Sequence, residues 1–367
     1  MIDCFKSIYR NKKVLVTGHT GFKGSWLCLW LKQLGADVIG YSLNPNTKPN
    51  LFQLLNLETE VTNIIGDIRD EENITKIIKK YEPEIIFHLA AQPLVKLSYE
   101  EPKLTYETNV IGTLNLFEAI RKSNNTKVII NVTTDKCYEN KEWNYSYREN
   151  DALGGYDPYS SSKGCAELLT SCYRNSYFSS NKIAISSVRA GNVIGGGDWA
   201  KDRLIPDIVK SLNNKNDILI RNPNAIRPWQ YVLEPLSGYL WLGALMFEDF
   251  EKYSQAWNFG PNDNVNLNVK NIVEKAINIF RGGVQNYILD EGKNHHEANL
   301  LSLDITKAKN IINWFPVYNV ENALIETINW YKEFYNNKNF NAKHYSINQI
   351  EKYVFKAKEK NILWSKK

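Results

Sequence analysis

One short segment limits this chain more than any other. The apolar run Val14–Thr17 leads directly into Gly18-His19-Thr20-Gly21-Phe22-Lys23-Gly24, and a helical pattern follows over Ser25–Gly35. Glycines at this GxxGxxG spacing serve where a backbone turns tightly and where it must approach a ligand closely. The helix behind them presents free N–H groups and the positive end of its dipole, a seat suited to a pyrophosphate. A glycine triplet alone also fits an ordinary strand-to-helix turn. Its place between the first strand and first helix of an alternating chain gives it weight.

The alternation continues. Strands are predicted at Ala36–Tyr41, Val61–Gly66, Glu84–Leu89, Lys127–Thr133 and Ile183–Arg189, with helices at Glu71–Tyr81, Pro102–Lys122 and Tyr159–Phe178. Near-continuous apolar strands separated by helices mean a parallel sheet covered on both faces, joined by right-handed crossovers. The predicted class is therefore α/β: a doubly wound parallel sheet of the Rossmann type, with a smaller C-terminal α/β domain. After Arg189 the pattern changes. Gly195-Gly196-Gly197 marks a loop, and helices are predicted near Leu204–Leu212, Leu233–Phe247, Val269–Phe280 and Val320–Tyr335, with a last helical stretch from about Ile347. Residues 1–190 are read as a dinucleotide-binding domain and 191–367 as mainly a substrate-binding domain, with elements partly interleaved.

Charge narrows the partners. The net charge is +5, and Glu351–Lys367 carries six lysines against two glutamates, so +4 of it sits in the tail. The body is near neutral, which argues against a nucleic-acid surface. The basic tail reads as a solvated helix end rather than a membrane contact. Five cysteines without CxxC spacing give neither a disulfide framework nor a zinc knuckle, and Cys28, Cys165 and Cys172 read as small core residues. No apolar run approaches the ~18 residues of a membrane span, and the start MIDCFKSIYRNKK lacks the apolar centre of a signal peptide. A cytoplasmic location is expected. His296 and Glu297 lie in a His-His-Glu run, but no third ligand stands at a useful spacing, so no metal is expected; they can equally line a sugar pocket.

On the cofactor side, the second strand ends Tyr41-Ser42-Leu43 with neither an acid nor an arginine. A 2′-phosphate has no evident clamp there, so NAD is expected over NADP. Asp67 and Ile68 follow the third strand, where they can meet the adenine; Asp67 also suits a helix N-cap. Leu89-Ala90-Ala91-Gln92 ends the fourth strand with small residues that let a dinucleotide lie against the backbone.

The chemistry is expected at Tyr159 and Lys163. Four residues apart at a helix start, they share one face. An ammonium near a phenol favours the phenolate, which can take a proton from a sugar hydroxyl as hydride leaves its carbon. The spacing alone is common by chance; after a glycine-rich turn, LAAQ and a strand ending Thr133-Thr134-Asp135-Lys136, it is not.

These segments (TGHTGFKG, LAAQ, TTDK, YSSSK and RPWQYV at Arg227–Val232) resemble the extended short-chain dehydrogenase/reductase family over nearly the whole chain. Within it, the runs VTGHTGFKGSWL, LAAQPLV, TTDKCYEN, RAGNVIGGGDWAKDRLIPD and RNPNAIRPWQYVLEPLSGYL resemble the CDP-glucose 4,6-dehydratase branch. That resemblance implies a hydro-lyase acting on CDP-glucose in deoxysugar and surface-polysaccharide precursor synthesis. The implied reaction oxidises C4, eliminates the C5 proton and C6 hydroxyl as water, and returns the hydride to C6. The cofactor side would involve Gly18, Thr20, Gly21, Phe22, Lys23, Gly24, Ser42, Asp67, Ile68, Leu89, Ala90, Ala91, Gln92, Tyr159 and Lys163. Thr134 resembles the hydroxyl that helps hold O4, and Asp135 suits the acid for the departing C6 oxygen. Lys136 stands where related dehydratases have a glutamate. It acts as the C5 base if its pKa is lowered, or stabilises the enolate. Thr134, Asp135 and Lys136 can also be read as a strand end carrying a surface ion pair. Asn192, Arg203 and Arg227 sit where the family binds the diphosphate, although Arg203 also fits a helix-start salt bridge. The helices Pro102–Lys122 and Tyr159–Phe178 are the pair this family packs into a dimeric four-helix bundle, or a tetramer.

Two rivals remain from the residues. A sugar-nucleotide epimerase or reductase shares the fold, but Asp135 and Lys136 after Thr134 favour elimination. A non-catalytic NAD-binding scaffold has no use for Thr134, Asp135, Tyr159 and Lys163 together.

Overall fold

Seven parallel strands build the centre of the molecule: β1 (Lys13–Thr17), β2 (Asp37–Ser42), β3 (Thr62–Ile65), β4 (Ile85–His88), β5 (Val128–Val132), β6 (Ala184–Ala190) and β7 (Ala256–Phe259). The computed structural model describes residues 2–220, 222–262, 267–280, 287–289 and 300–366. The strand order is β7-β6-β5-β4-β1-β2-β3. The order therefore reverses between β1 and β4, and the crevice beyond their carboxyl ends is where doubly wound sheets take ligands.

Alternation along the strands shows both faces of the sheet buried. Val14 and Val16 join the large core cluster, while Leu15 between them joins a second one. The same split separates Phe87 from Ile86 and Ile130 from Ile129. The helix Phe22–Gln33 is buried from Gly24 through Leu31, so it lacks a polar face. It lies between the sheet and the C-terminal helix Ala342–Glu359, with Trp30 edge-on to Tyr353 at 5.9 Å. The basic tail is tied down rather than free. Lys352 pairs with Glu326, Lys360 donates to the Val317 carbonyl, and Trp364 is fully buried. Among the described residues no helix is long and apolar enough to cross a membrane.

The helix Glu71–Tyr81 lies where the sequence puts it, because its ends are encoded locally. Asp70 caps it by accepting from the Asn73 N–H at 2.9 Å, and Glu71 and Glu72 face the positive end of the dipole. The element expected as one helix over Pro102–Lys122 is interrupted. Helical turns at Pro102–Tyr106 and Gly112–Arg121 flank a π-turn at Glu107–Ile111. The second long helix runs Pro158–Tyr173 and ends in a π-turn at Arg174–Phe178. Two cysteine readings need correction: Cys165 is half-buried and Cys172 exposed, because both lie on the outer side of that helix. β7 was not anticipated, since Ala256–Phe259 is only four residues long and sits amid helices.

Candidate active site

The glycine turn divides its labour. Gly18 ends β1 at φ +73°, and a Cβ there would lie 2.8 Å from the Ala90 backbone nitrogen. Only glycine permits that approach. A Cβ on Gly24 would come within 2.1 Å of the Gly18 carbonyl oxygen, so this glycine lets the helix pack on the turn. Gly21 is different. Its Cβ would meet nothing nearer than 3.4 Å, and it caps the helix Phe22–Gln33 without a side chain. The first helical N–H groups are left for a ligand across open space. That cradle fits a dinucleotide pyrophosphate.

Around it, Thr20 donates to the Leu43 carbonyl at 2.8 Å, which makes the Ser42 hydroxyl the donor in its 2.9 Å contact with Thr20. The Phe22 ring packs toward Gly195. Asp67 does not cap a helix; that position belongs to Asp70. Its carboxylate is gripped by Arg69, with Nη2 at 2.6 Å, which holds it below the usual carboxyl range. The Ile68 side chain packs against Gly112, and its carbonyl accepts from Asn115 Nδ2 at 3.3 Å. Leu89, Ala90 and Ala91 are half-buried beside Gly18, but the Gln92 side chain is spent locally, on Leu94 and on Thr105 at 2.8 Å.

Beyond β5 the chain turns at Asp135–Cys137. Thr134 starts this turn; its hydroxyl accepts from the Lys136 N–H at 3.3 Å and donates to Asp135 Oδ1 at 2.9 Å. The Asp135 carboxyl is 3% exposed. Burial pushes its pKa up, against the pull of Lys136, Thr134, Arg227 and Lys23. Lys136 is half-buried beside it. This is not a surface ion pair. On the facing helix, Asp157 caps the first turn and Tyr159 and Lys163 are both buried. Lys163 Nζ donates to the Val132 carbonyl at 3.3 Å, and burial lowers its pKa to about 8. Burial also dominates at Tyr159, pushed up to about 12, while Thr134 and Arg203 favour its phenolate. In the chain alone, then, desolvation outweighs the cationic help the spacing suggested.

Cations crowd this centre. Lys23, pushed down to about 8 by burial, feels Arg203 and Lys163, and its ammonium lies 5.8 Å from the Tyr239 ring centroid. Arg203 makes the helix-start salt bridge, 2.7 Å to Asp198, and its charge also reaches Tyr159. Arg227 lies near Asp135. Asn192 is half-buried, its carbonyl accepting from the Gln230 N–H at 3.1 Å. An anionic diphosphate is the ligand such a field favours. His296 and Glu297 lie outside the described residues. Among the described residues no group of three His, Cys, Asp or Glu side chains is placed to hold a metal.

Sequence reasoning missed the scaffold joining these parts. Asn109, inside the π-turn, accepts from the Gln92 N–H at 2.8 Å and donates to the Gln92 carbonyl and to Ser162 Oγ. Ser162 in turn donates to the Tyr159 carbonyl. Nearby, Thr17 accepts from the Leu89 and Ala90 N–H groups and meets His88 Nδ1 at 2.7 Å, and His88 Nε2 meets Thr113. Since Thr113 donates to the Asn109 carbonyl, His88 is neutral with its proton on Nε2, and burial keeps its pKa near 3. The available signal was Asn109 itself, a polar side chain in a helix interior.

The residues from 15 to 327 match the model of the family described as GDP-mannose 4,6 dehydratase. The chain belongs to that family. A curated relative within reach of this family, the CDP-glucose 4,6-dehydratase of Salmonella typhimurium strain LT2, is 51% identical over 90% of this chain and 93% of its own. Solved structures share the fold. The UDP-glucose 4-epimerase of Thermotoga maritima, solved with UDP-glucose, has a TM-score of 0.76 at 23% identity, covering 88% of this chain and 99% of its own. The dTDP-glucose 4,6-dehydratase of Bacillus anthracis, solved with NAD, has a TM-score of 0.71 at 23% identity, covering 88% and 97%.

Proposed function

We propose that this family member is a CDP-glucose 4,6-dehydratase that converts CDP-glucose to CDP-4-keto-6-deoxyglucose and water. The observation that carries the reading is the buried Asp135 carboxyl held beside Thr134 and facing Tyr159, in a chain 51% identical to a relative of that name. The Gly18–Gly24 turn would hold NAD at its pyrophosphate, with Thr20, Ser42 and Ile68 toward the adenosine. Bound there, NAD supplies an acceptor for the C4 hydride and its return to C6. Tyr159 takes the proton of the C4 hydroxyl, and Lys163 and Arg203 favour its phenolate. Thr134 orients O4. Asp135, whose burial favours the protonated form, gives a proton to the departing C6 oxygen. Lys136, half-buried beside the same carboxyl, takes the proton that C5 loses, stabilises the enolate as the ammonium so formed, and returns the proton to C5 once C6 has received the hydride. Arg203, Arg227 and Asn192 surround the diphosphate. Residues 1–190 mainly serve the cofactor and 191–367 mainly the nucleotide sugar.

The product would feed deoxysugar units of a surface polysaccharide. A homodimer fits the exposed apolar residues on the two long helices, with Leu168 61% and Ile111 46% exposed. Five free cysteines suit a cytoplasmic setting. The test is incubation with CDP-glucose and NAD followed by mass spectrometry. Loss of one water is expected. An isomer of unchanged mass would make the chain an epimerase, and a net gain or loss of hydrogen a reductase or dehydrogenase.

A further inference from the structure

We infer that the Tyr138 hydroxyl is a positioning group for the elimination step: clamped between Arg189 and Asn258, it fixes the far end of the Asp135–Cys137 turn and so sets where Lys136 meets C5. The inference rests on the dehydratase reading and adds to it a residue that acts through Lys136.

Donor chemistry fixes the clamp. A guanidinium only donates, so the 2.7 Å contact from Arg189 Nη1 makes the phenol oxygen an acceptor there. The phenol proton goes to Asn258 Oδ1 at 2.8 Å. Asn258 is not free to turn its amide over, because its Nδ2 donates to the carbonyls of Tyr147 at 2.8 Å and Asp304 at 3.2 Å. Arg189 and Asn258 stand opposite each other on β6 and β7, so the central sheet itself carries the clamp. Tyr138 and Asn258 are both buried, and the Tyr138 ring stacks on Tyr147 with centroids 5.1 Å apart. Burial pushes the Tyr138 phenol up, so its hydroxyl stays protonated and serves as an anchor rather than an acid.

The turn needs an anchor because its own hydrogen bonds are long. The Lys136 N–H reaches the Thr134 hydroxyl at 3.3 Å, and the Cys137 N–H reaches the Thr134 carbonyl at 3.4 Å. The near end is held by the sheet, since the Thr133 N–H donates to the Val188 carbonyl at 2.9 Å and its hydroxyl to Glu167. At the far end the backbone bonds lead only to a loop: Gly154 N–H to the Cys137 carbonyl and Glu139 N–H to the Ala152 carbonyl, both at 2.9 Å. The Tyr138 hydroxyl ties that end to the sheet as well. The two side chains on the turn depend on it unequally. Asp135 is seated by Thr134 at 2.9 Å and by the room that Gly191 leaves. Among the described residues the Lys136 ammonium has no hydrogen bond to hold it, so its aim follows the backbone, two residues before Tyr138. Tyr159 and Lys163 stand on a separate helix, so oxidation at C4 depends on the clamp least.

The test is Tyr138→Phe in the full chain loaded with NAD. It keeps the ring and its stacking and removes only the clamped hydroxyl. On rapid mixing with CDP-glucose, reduced-nicotinamide absorbance should rise at nearly the parent rate and decay about tenfold more slowly, the effect of a displaced reacting group. KM should change little. A substrate deuterated at C5 should slow that decay more in the variant than in the parent, since proton transfer to Lys136 becomes limiting. In a Lys136→Ala background, Tyr138→Phe should slow the residual decay no further, because its effect passes through Lys136. Equal slowing of oxidation and elimination, an unchanged isotope effect, or full additivity with Lys136→Ala would overturn the inference and leave Tyr138 as structural support. If the phenylalanine variant does not fold, Asn258→Ser takes the acceptor away from the phenol, and the same outcomes decide. Failure of the parent reading looks different, since the unmodified enzyme would then form no product lighter by one water.

Discussion

Glu167 and Asp135 are two carboxylates buried to the same degree, both 3% exposed, near the end of one strand, and they behave oppositely. Glu167 is saturated. It accepts from Thr133 at 2.5 Å, Ser187 at 2.7 Å and Arg189 at 2.7 Å, and these partners hold its pKa below the ordinary range despite burial. Among the described residues Asp135 accepts one side-chain hydrogen bond, from Thr134, with its cations at longer range, and burial wins. Burial alone therefore does not mark a functional acid. On the proposed function, what sets Asp135 apart is incomplete satisfaction, which costs stability and favours the protonated form.

The largest effect should come from breaking the saturated member. Glu167→Gln leaves Arg189 buried without its counter-charge, and Arg189 is 3% exposed. Loss of one partner of a buried pair costs about 3–5 kcal/mol, readable as a lower midpoint in urea unfolding. In the folded fraction, oxidation and elimination should slow together or not at all. A Glu167→Gln protein as stable as the parent would remove the distinction drawn between the two acids.

Asp135→Asn should do the reverse: little change in unfolding midpoint, and turnover down by about 10² or more, near 3 kcal/mol in the barrier. Oxidation at C4 should survive while elimination slows, so reduced-nicotinamide absorbance should build up with little 4-keto-6-deoxy product. A substrate with fluoride at C6 needs less acid and should recover part of the product. If no reduced cofactor forms although substrate binds, Asp135 belongs to the oxidation step.

How far these two acids were legible in the sequence follows from what makes each. The sheet and the glycine turn read well because apolar strands, glycine spacing and helix caps such as Asp70 are local signals. Thr134, Asp135, Tyr159 and Lys163 were picked out because they cluster at strand and helix ends, and the structure brings them together. The pairing of Glu167 with Arg189 spans 22 residues and two elements, so no local pattern announces it. The Asn109 bridge spans 53 residues to Ser162. Gln92 and Asp67 show the same limit, since the motif around them is local but their side-chain partners Leu94, Thr105 and Arg69 appear only in the structure.

Gly191 should give a smaller, informative effect. A Cβ there would lie 2.5 Å from Asp135 Oδ2 and 2.9 Å from Pro228, so the glycine seats the acid in one position. Gly191→Ala should displace the carboxyl and slow elimination about tenfold, roughly 1.4 kcal/mol. Oxidation should change less, and the C6-fluoride substrate should be affected little. Equal slowing of both steps would mean a general distortion of the loop.

The smallest effect is a matter of sign. Asp135 has a raised folded pKa, so the folded chain holds its proton more tightly than the unfolded chain does. That stabilisation is complete below the ordinary carboxyl pKa and is lost as pH rises through the folded value. Glu167 has a lowered folded pKa. Its contribution is present above the ordinary carboxyl pKa and is lost as pH falls through the folded value. Unfolding free energy measured across the acid range should therefore separate the two variants. Relative to the parent, Asp135→Asn should gain stability as pH rises above the ordinary carboxyl range, then level off. The deficit of Glu167→Gln should shrink as pH falls below it. Each slope is bounded by about 1.4 kcal/mol per pH unit, the limit for one proton. Curves of the same sign for both variants would place both acids in one class, and the idea that incomplete satisfaction singles out Asp135 would fail.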